Sequence, residues 1–196
     1  MAAPAPSGGG SGSGGSNFNI DTFNSKLTKG GALASLFEVE LLAPGKGSIG
    51  NITDFTFMCK GVSLPASTIT AATVTYMGRS LQIPGNRDAA QIVTSVYNDE
   101  DMEIRNYIES WMEKLNSHRT NVRDSSMVKI LDYTAEMKVR QLRKDGQGFS
   151  KEYTFVDCWP SSCPEIALSW DTSDIQTFDI TWEFNYWKSA DSNTGV

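Results

Sequence analysis

The chain has 196 residues, 39% of them hydrophobic and 20% charged, and a formal net charge of -6. This length suits one globular domain with a tail, and a chain of this size can bury a core without disulfides or metals. The acidic balance argues against a protein that grips nucleic acid, because phosphate binding needs Lys and Arg to displace counterions.

The chain begins with a Pro/Ala and then Gly/Ser tract, MAAPAPSGGGSGSGGSN, at residues 1–17. This composition is typical of a flexible arm. Because ordering a backbone costs about 1–2 kcal/mol per residue, we expect this N-terminal tract, with its Gly8, Gly9 and Gly10, to become ordered only at an interface with neighbouring chains. We place the main domain at residues 18–190 and a short C-terminal tail at 191–196.

Short strands are predicted along the first half of the main domain. They fall, in chain order, at 36–42, 53–60, 69–76, 80–83 and 91–97. A turn cluster at 43–47 predicts that the first two strands form a hairpin. Met77-Gly78-Arg79 predicts a second turn, between the third strand and the fourth.

One helix is predicted, from about Asp99 to Asn116. Acidic side chains at its start, Asp99 among them, suit the free N–H groups and the positive dipole end of a helix. Apolar residues then recur in a single stripe, at Ile104, Tyr107, Ile108, Trp111, Met112 and Leu115. We expect this stripe to pack on the chain's own sheets.

A second hairpin and a final strand are predicted after the helix. Residues 130–142 and 149–157 flank a Gly-rich, basic turn at 143–148. In the final strand, one face carries Phe178, Ile180, Trp182, Phe184 and Tyr186. The other face is polar and includes Asp179 and Glu183. Strict alternation predicts one buried and one solvated face, so the residues alone predict a mostly antiparallel β-domain with one packed helix.

Residues that carry catalysis or metal binding are scarce. The chain has one histidine and three cysteines, and Cys158 and Cys163 lack the second Cys/His pair of a zinc site. An odd cysteine count without a secretory signal predicts free thiols. Glu38 and Glu40 share a strand face, as the carboxylate pair of a glycosidase would, but a solvated face explains them without a sugar platform. We predict no enzyme activity, no cofactor and no metal site.

Several strings stand in collinear order over residues 35–187. They are LFEVE at 36–40, FMCKGVSLP at 57–65, MGR at 77–79, PGNR at 84–87, VYNDE at 96–100, WP at 159–160, EIALSWD at 165–171 and IQTF at 175–178. Their order and spacing resemble the tail-tube proteins of contractile-tailed bacteriophages, especially those of the T-even type. The N-terminal tract, the segment 43–50 and the tail from Lys188 depart from the family pattern.

The resemblance implies two packed antiparallel sheets, sandwich- or barrel-like, flanked by one α-helix. It also implies six-fold rings that stack into a hollow conduit of the virion tail, assembled in the host cytoplasm. The implied partners are further copies of the chain, the tail sheath protein, baseplate and tail-terminator proteins, and passing double-stranded DNA that is not held tightly. No membrane insertion is expected. Ring closure suits a sheet protein, because it removes exposed strand edges.

An acidic conduit wall would let DNA slide, because phosphates find no Lys or Arg on which to condense. The candidate channel-facing residues, all expected on strands, are Asp179, Glu183, Glu38, Glu40, Asp132 and Glu136. The candidate interface residues are Trp187, Gly8, Gly9 and Gly10. The sequence leaves open which strands line the channel.

Three alternatives stay open at this point. The tube of a bacterial contractile injection machine shares the fold. A β-sandwich ligand-binding module belongs to a different class and predicts a monomer with an exposed aromatic platform. An enzyme on a β-scaffold would need a nucleophile–base constellation, which the sequence does not offer.

Overall fold

A computed structural model describes residues 19–27, 30–42, 44, 52, 54–171 and 173–191. The chain divides into two compact units, Met1–Leu33 and Ala34–Val196. In the first unit, helix α1 (Ile20–Lys26) is solvent-exposed along its length. It begins at Asn19, whose side-chain oxygen accepts a hydrogen bond from the backbone N–H of Asp21 at 3.0 Å. The N-terminal tract at 1–17 lies outside the described residues.

The second unit contains the sheets and the remaining helices. Its strands are β1 (Phe37–Leu42), β2 (Cys59–Ser63), β3 (Ser67–Tyr76), β4 (Arg79–Ala89), β5 (Ile92–Tyr97), β6 (Ala135–Leu142), β7 (Phe149–Ser162), β8 (Thr177–Glu183) and β9 (Tyr186–Asp191). Its helices are α2 (Phe55–Met58), α3 (Glu103–Leu115) and α4 (Ile130–Tyr133). The predicted mostly β fold with two antiparallel sheets is confirmed: one sheet has seven strands, and β3 and β4 form the other.

The long strand β7 organises the seven-stranded sheet, whose order is β1-β6-β7-β8-β5-β2, with β9 also paired to β7. The first part of β7 pairs with β6 and β9, and its end, from Trp159, pairs with β8. Asp157 lies just before this end, where the pairing with β6 shifts register between Phe155 and Cys158, and its φ of 59° interrupts the extended backbone. Its carboxylate accepts hydrogen bonds from Thr134 Oγ1 at 3.4 Å and Asn185 Nδ2 at 2.8 Å. This corner lets one strand serve both halves of the sheet.

The core is a single apolar cluster, to which both halves of the sheet and the helices α2 and α3 contribute side chains. Trp182 of β8 is fully buried. Its ring packs edge-on against Phe55 at 6.1 Å and against Trp111 at 5.8 Å between centroids. Its Nε1–H donates to Thr94 Oγ1 at 2.8 Å, so the one polar atom of the indole is satisfied inside the core.

Helix α3 confirms the predicted apolar stripe: Ile104, Ile108 and Trp111 are buried on its own chain's core. The helix begins at Glu103 rather than Asp99, because Met102 takes a left-handed backbone conformation with φ 52°. Asp99 nevertheless stabilises the first turn, since its carboxylate accepts a hydrogen bond from the Glu103 N–H at 3.1 Å, as expected for an acidic residue at a helix start.

The predicted hairpin of residues 36–42 and 53–60 is wrong. Phe55–Met58 form α2, the strand β2 that follows pairs with β5, and β1 pairs with β6. Phe55 is fully buried against Trp182. A long-range aromatic contact therefore places a helical turn in a short apolar run, which periodicity alone cannot tell from a strand.

The prediction of a single helix is also wrong, since the described residues contain four α-helices. The additional helices are too short to show a helical period in the sequence. Residues Ile130–Tyr133, predicted as strand, form α4, so the channel candidate Asp132 does not lie on a strand. Its carboxylate instead accepts a hydrogen bond from the Lys129 N–H at 3.2 Å and stabilises the helical turn.

The final strand is shorter than predicted. It ends at Glu183, and a separate strand, β9, begins at Tyr186. The burial of Phe178, Ile180 and Trp182 confirms the predicted core face. Tyr186, assigned to that face by the alternation, is 48% exposed, because the chain turns after Glu183 and the alternation restarts.

Replacing Trp111 by Ala should lower the free energy of unfolding by about 3–5 kcal/mol, the usual cost of removing a buried aromatic side chain. Its ring is fully buried and its Nε1–H donates to the Tyr133 carbonyl oxygen at 2.9 Å. Trp170→Ala is the matched control, because Trp170 is fully exposed, and it should change the unfolding free energy by less than about 0.5 kcal/mol. Denaturant titration measures both, and equal losses would contradict the assignment.

Two buried thiols predict a loss of stability at high pH. Burial raises the pKa of Cys59 from 9.0 to about 11 and that of Cys158 from 9.0 to about 12. Because these folded-state pKa values lie above the unfolded ones, the thiols' contribution is fully present below the unfolded value and is lost as pH rises through this window. The cost reaches about 1.4 kcal/mol per pH unit for each thiol.

The comparison of wild type with Cys158→Ala isolates one thiol. The gap between their unfolding free energies should narrow as the pH rises from about 9 towards about 12, measured by denaturant titration at each pH. Parallel pH profiles of the two proteins would contradict the shifted pKa of Cys158.

Candidate assembly surfaces

Strands β3 and β4 form an arm outside the seven-stranded sheet, here called the β-arm. The β2–β5 pair continues into β3–β4 without a change of register: Ser63 is paired with Val93, and Ser67 with Ala89. The β-arm is therefore the outer part of one long ribbon whose base belongs to the main sheet. All of its described side chains, at 67–88, are exposed.

The β-arm has one apolar and one polar face, because directly paired residues of antiparallel strands point to the same side. The apolar face carries the pairs Ala72–Ile83, Val74–Leu81 and Tyr76–Arg79. The polar face carries Ala71–Pro84, Thr73–Gln82 and Thr75–Ser80. Val74, Leu81 and Tyr76 are 48%, 61% and 72% exposed. A contiguous exposed apolar face of this kind is typical of a protein interaction site.

Gly85 sets the geometry of the β-arm where its register shifts by one residue, between Ile69 and Ala71. A Cβ at Gly85 would lie 2.8 Å from the backbone oxygen of Thr70, a contact that no side chain tolerates. Thr70 Oγ1 also donates to the carbonyl oxygen of Asn86 at 2.9 Å. The string PGNR at 84–87 thus fits a close backbone approach.

A second apolar surface lies between β7 and β8, on the described residues 163–171 and 173–176, here called the β7–β8 loop. Leu168 and Ile175 are 77% and 71% exposed, and Trp170 is fully exposed. The sequence singled out this stretch only as the string EIALSWD. No alternation distinguishes an exposed apolar loop from a buried one, so the tertiary structure was needed to find it.

Asp179 and Glu183 lie on the outward face of β8, as predicted. Their carboxylates accept hydrogen bonds from the Ser95 hydroxyl and the Gln91 side-chain amide, respectively. Within the described part of the chain, neither carboxylate has a Lys or Arg nitrogen within 4.0 Å. Lys60 of β2 lies over the ring of Tyr97 at 5.5 Å. Both acids are therefore solvent-facing charges without an ion-pair partner among the residues that the structure describes.

Glu38 and Glu40 lie on a different polar face, formed by β1, β6 and β7, and they are ion-paired. Arg140 lies 2.8 Å from Glu40, 2.6 Å from Glu152 and 3.6 Å from Glu38. The hydrogen bond to Glu152 is the largest cause that raises the pKa of Arg140. One guanidinium thus compensates several carboxylates, which lowers the negative potential of this face.

The remaining candidates are distributed over the fold. Glu136 of β6 lies 3.5 Å from Lys138. Trp187 of β9 is half-buried and packs edge-on against Tyr153, with centroids 5.8 Å apart. Gly8, Gly9 and Gly10 lie outside the described residues. The structure therefore does not bring the candidate channel residues together on one surface.

Within residues 19–191, among those that the structure describes, no group of three His, Cys, Asp or Glu side chains is placed to hold a metal ion. In the same part of the chain, no helix is long and apolar enough to cross a bilayer. The cysteines are free thiols, with Cys59 and Cys158 buried and Cys163 half-buried.

Comparison with known proteins decides the family. The family model for the phage tail tube protein matches residues 24–190. The chain belongs to the phage tail tube protein family. It is 29% identical over 158 residues to the tail tube protein gp19 of Enterobacteria phage T4, covering 80% of this chain and 91% of gp19. The gp19 protein of Enterobacteria phage T6 matches with the same identity and coverage.

Solved structures share the fold of this tail tube protein. The PVC sheath-tube complex of an extracellular contractile injection system matches with a TM-score of 0.60 at 12% identity, covering 85% of this chain and 97% of that chain. The six-fold symmetrised baseplate of the anti-feeding prophage matches with a TM-score of 0.59 at 12% identity, covering 83% of this chain and 97% of that chain. At this identity the likeness concerns the fold alone.

The family match confirms the resemblance read from the strings of the sequence. The chain is a structural tail tube protein of the contractile-tailed phage type and a component of the virion tail. Its relatives of higher sequence identity are phage proteins, whereas the injection-system proteins are similar in fold. The monomeric ligand-binding module is therefore not the function of this chain.

Leu81→Asp should lower the yield of assembled tubes by about tenfold or more, because a carboxylate on the apolar face of the β-arm loses its hydration when that face is covered. Gln82→Asp is the matched control: the adjacent side chain lies on the polar face. Sedimentation of purified protein measures assembly, and circular dichroism checks that both variants fold. Equal assembly of the two variants would show that the apolar face stays uncovered in the tube.

Proposed function

We propose that copies of this tail tube protein close into six-fold rings, that the rings stack into a hollow tube, and that double-stranded DNA passes through it without tight binding. The sheath protein would surround the tube, and baseplate and terminator proteins would meet its ends. The related complexes support this assignment, since they are a sheath-tube complex, a sheath/tube terminator and a six-fold symmetrised baseplate.

The open edges of the seven-stranded sheet support ring closure. Strands β1 and β2 end the strand order of the described residues, in which β9 pairs with β7 alone. Unpaired strand edges are an aggregation hazard, and pairing different edges of successive copies around a closed ring removes them. The strongest support for self-assembly is the β-arm. Its apolar face is exposed in the isolated chain, although the chain has a complete core of its own.

We also propose that the β8 face with Asp179 and Glu183 contributes to the conduit wall. These two carboxylates have no ion-pair partner among the described residues, whereas Glu38 and Glu40 share Arg140. Unneutralised carboxylates repel phosphates and offer no site for counterion release, so DNA would slide along such a wall. Nothing in this role requires a reaction, and we assign the chain no catalytic activity.

Electron microscopy of the purified protein tests the assembly directly. We expect rings or hollow tubes with six-fold end views. The arrangement would be refuted by a protein that stays monomeric at high concentration, or by tubes of another rotational symmetry. The ring proposal and the wall proposal can fail separately, because the first concerns assembly and the second concerns ejection by tubes that have formed.

Asp179→Lys should leave tubes intact and slow DNA ejection from assembled virions. The slowing should be larger at low salt than at high salt, because screening shortens the reach of charge to about 10 Å at 0.1 M. Glu136→Lys is the matched control: it makes the same charge change on the face that carries Glu38 and Glu40. Ejection kinetics measured by release of stained DNA would contradict the assignment if only the control slowed, or if neither did.

A further inference from the structure

We propose that the apolar face of the β-arm of one copy docks on the β7–β8 loop of an adjacent copy in the tube. The proposal rests on the self-assembly described above and names the two surfaces that meet. The protein that covers the apolar face of the β-arm is thus a second copy of this chain rather than the sheath or another protein.

The β-arm needs a covering surface. A two-stranded ribbon is at best marginally stable in water, and this one exposes Val74, Tyr76 and Leu81 on a single face. The polar face has its own cross-strand contact, since Thr73 Oγ1 donates to the Gln82 side-chain oxygen at 2.9 Å. The apolar face is therefore the one that water surrounds unfavourably. Docking on that side would bury its exposed side chains, and the polar face could stay in water.

The β7–β8 loop is anchored at both ends, which suits it to such a contact. At its end, Asn98 donates to Gln176 twice, from its backbone N–H to the carbonyl oxygen at 2.9 Å and from its side chain to Oε1 at 3.2 Å. Near its start, Ile166 packs against the core. Between these anchored ends, Leu168 and Trp170 are presented to solvent. Large aromatic side chains held in this way are typical of interface anchors.

The charges of the two surfaces are complementary. The β-arm, at 67–89, carries Arg79, Arg87 and Asp88, a formal charge of +1 in an otherwise acidic chain. The described loop residues carry Glu165, Asp171 and Asp174, a formal charge of -3. Arg79 lies on the apolar face itself, paired with Tyr76 at the tip. Complementary charge fixes the register of a contact and disfavours arm-to-arm pairing.

The geometry also suits a polymer. The β-arm and the β7–β8 loop are different surfaces of one chain, so their contact is heterologous. A heterologous contact leaves a free β-arm on one copy and a free loop on the other, and each added copy renews both. One kind of contact can thus be repeated throughout a tube. An arm-to-arm contact would instead use up both β-arms and stop at a dimer.

Crosslinking tests the proposed contact with the full chain. In a Cys163→Ser background, which removes the half-buried thiol of the loop, one variant carries Ala72→Cys on the apolar face and another carries Ala167→Cys on the loop. Ala71→Cys is the matched control, because it makes the same substitution on the polar face. Mixed assemblies are treated with a short bis-maleimide crosslinker and the dimer is quantified on denaturing gels.

We expect the mixture of Ala72→Cys and Ala167→Cys to give at least about tenfold more dimer than the mixture of Ala71→Cys and Ala167→Cys. Dimers formed by Ala72→Cys alone would show arm-to-arm pairing and overturn the proposal. Intact tubes without dimers in either mixture would place the β-arm on another surface, leaving the ring proposal unaffected. A wild-type chain that forms no tubes would overturn both.

Discussion

The packing of Trp182 joins four elements of the fold. Its indole contacts Phe55 of α2 and Trp111 of α3 and donates a hydrogen bond to Thr94 of β5, while its backbone belongs to β8. Losing this side chain would remove both a large buried volume and the partner of a buried hydroxyl. Trp182 therefore contributes to the position of α2, to the packing of α3 and to the pairing of β5 with β8.

A complete internal core has a consequence for the surface. Because Trp182 and its neighbours close the domain on themselves, the β-arm and the exposed Leu168 and Trp170 of the β7–β8 loop are not needed to bury the core. Their exposed apolar side chains are therefore available for contacts with other copies. A tube protein needs this division, since the subunit must fold before it meets its neighbours and must still present surfaces that favour assembly.

Electrostatics separates two polar faces that the sequence treats alike. Glu38 and Glu40 alternate along β1 much as Asp179 and Glu183 alternate along β8. In the folded chain, Arg140 of β6 lies beside the first pair and compensates it, whereas the second pair, within the described part of the chain, accepts hydrogen bonds from neutral side chains and has no ion-pair partner. Two acidic strands with the same pattern thus contribute very differently to the potential that passing DNA would experience.

The sequence by itself determined the elements whose signal is local. The stripe of α3 and the alternation at Phe178, Ile180 and Trp182 follow directly from helical and strand periodicity, and the turn after Tyr76 follows from its glycine. Collinear strings were enough to recognise the family. The hairpin of β6 and β7, with its turn at 143–148, was predictable too, because its strands are adjacent in the chain.

Only the tertiary structure decided which strands pair at long range and which apolar residues stay outside. The β2–β5 and β1–β6 pairings, the turn of α2 at Phe55 and the corner at Asp157 depend on contacts between residues far apart in sequence. The exposed faces of the β-arm and of Trp170 were likewise invisible, because the same alternation or apolar run describes a buried and an exposed segment equally well. The difference lies in whether another part of the chain covers the surface, and a linear pattern does not contain that information.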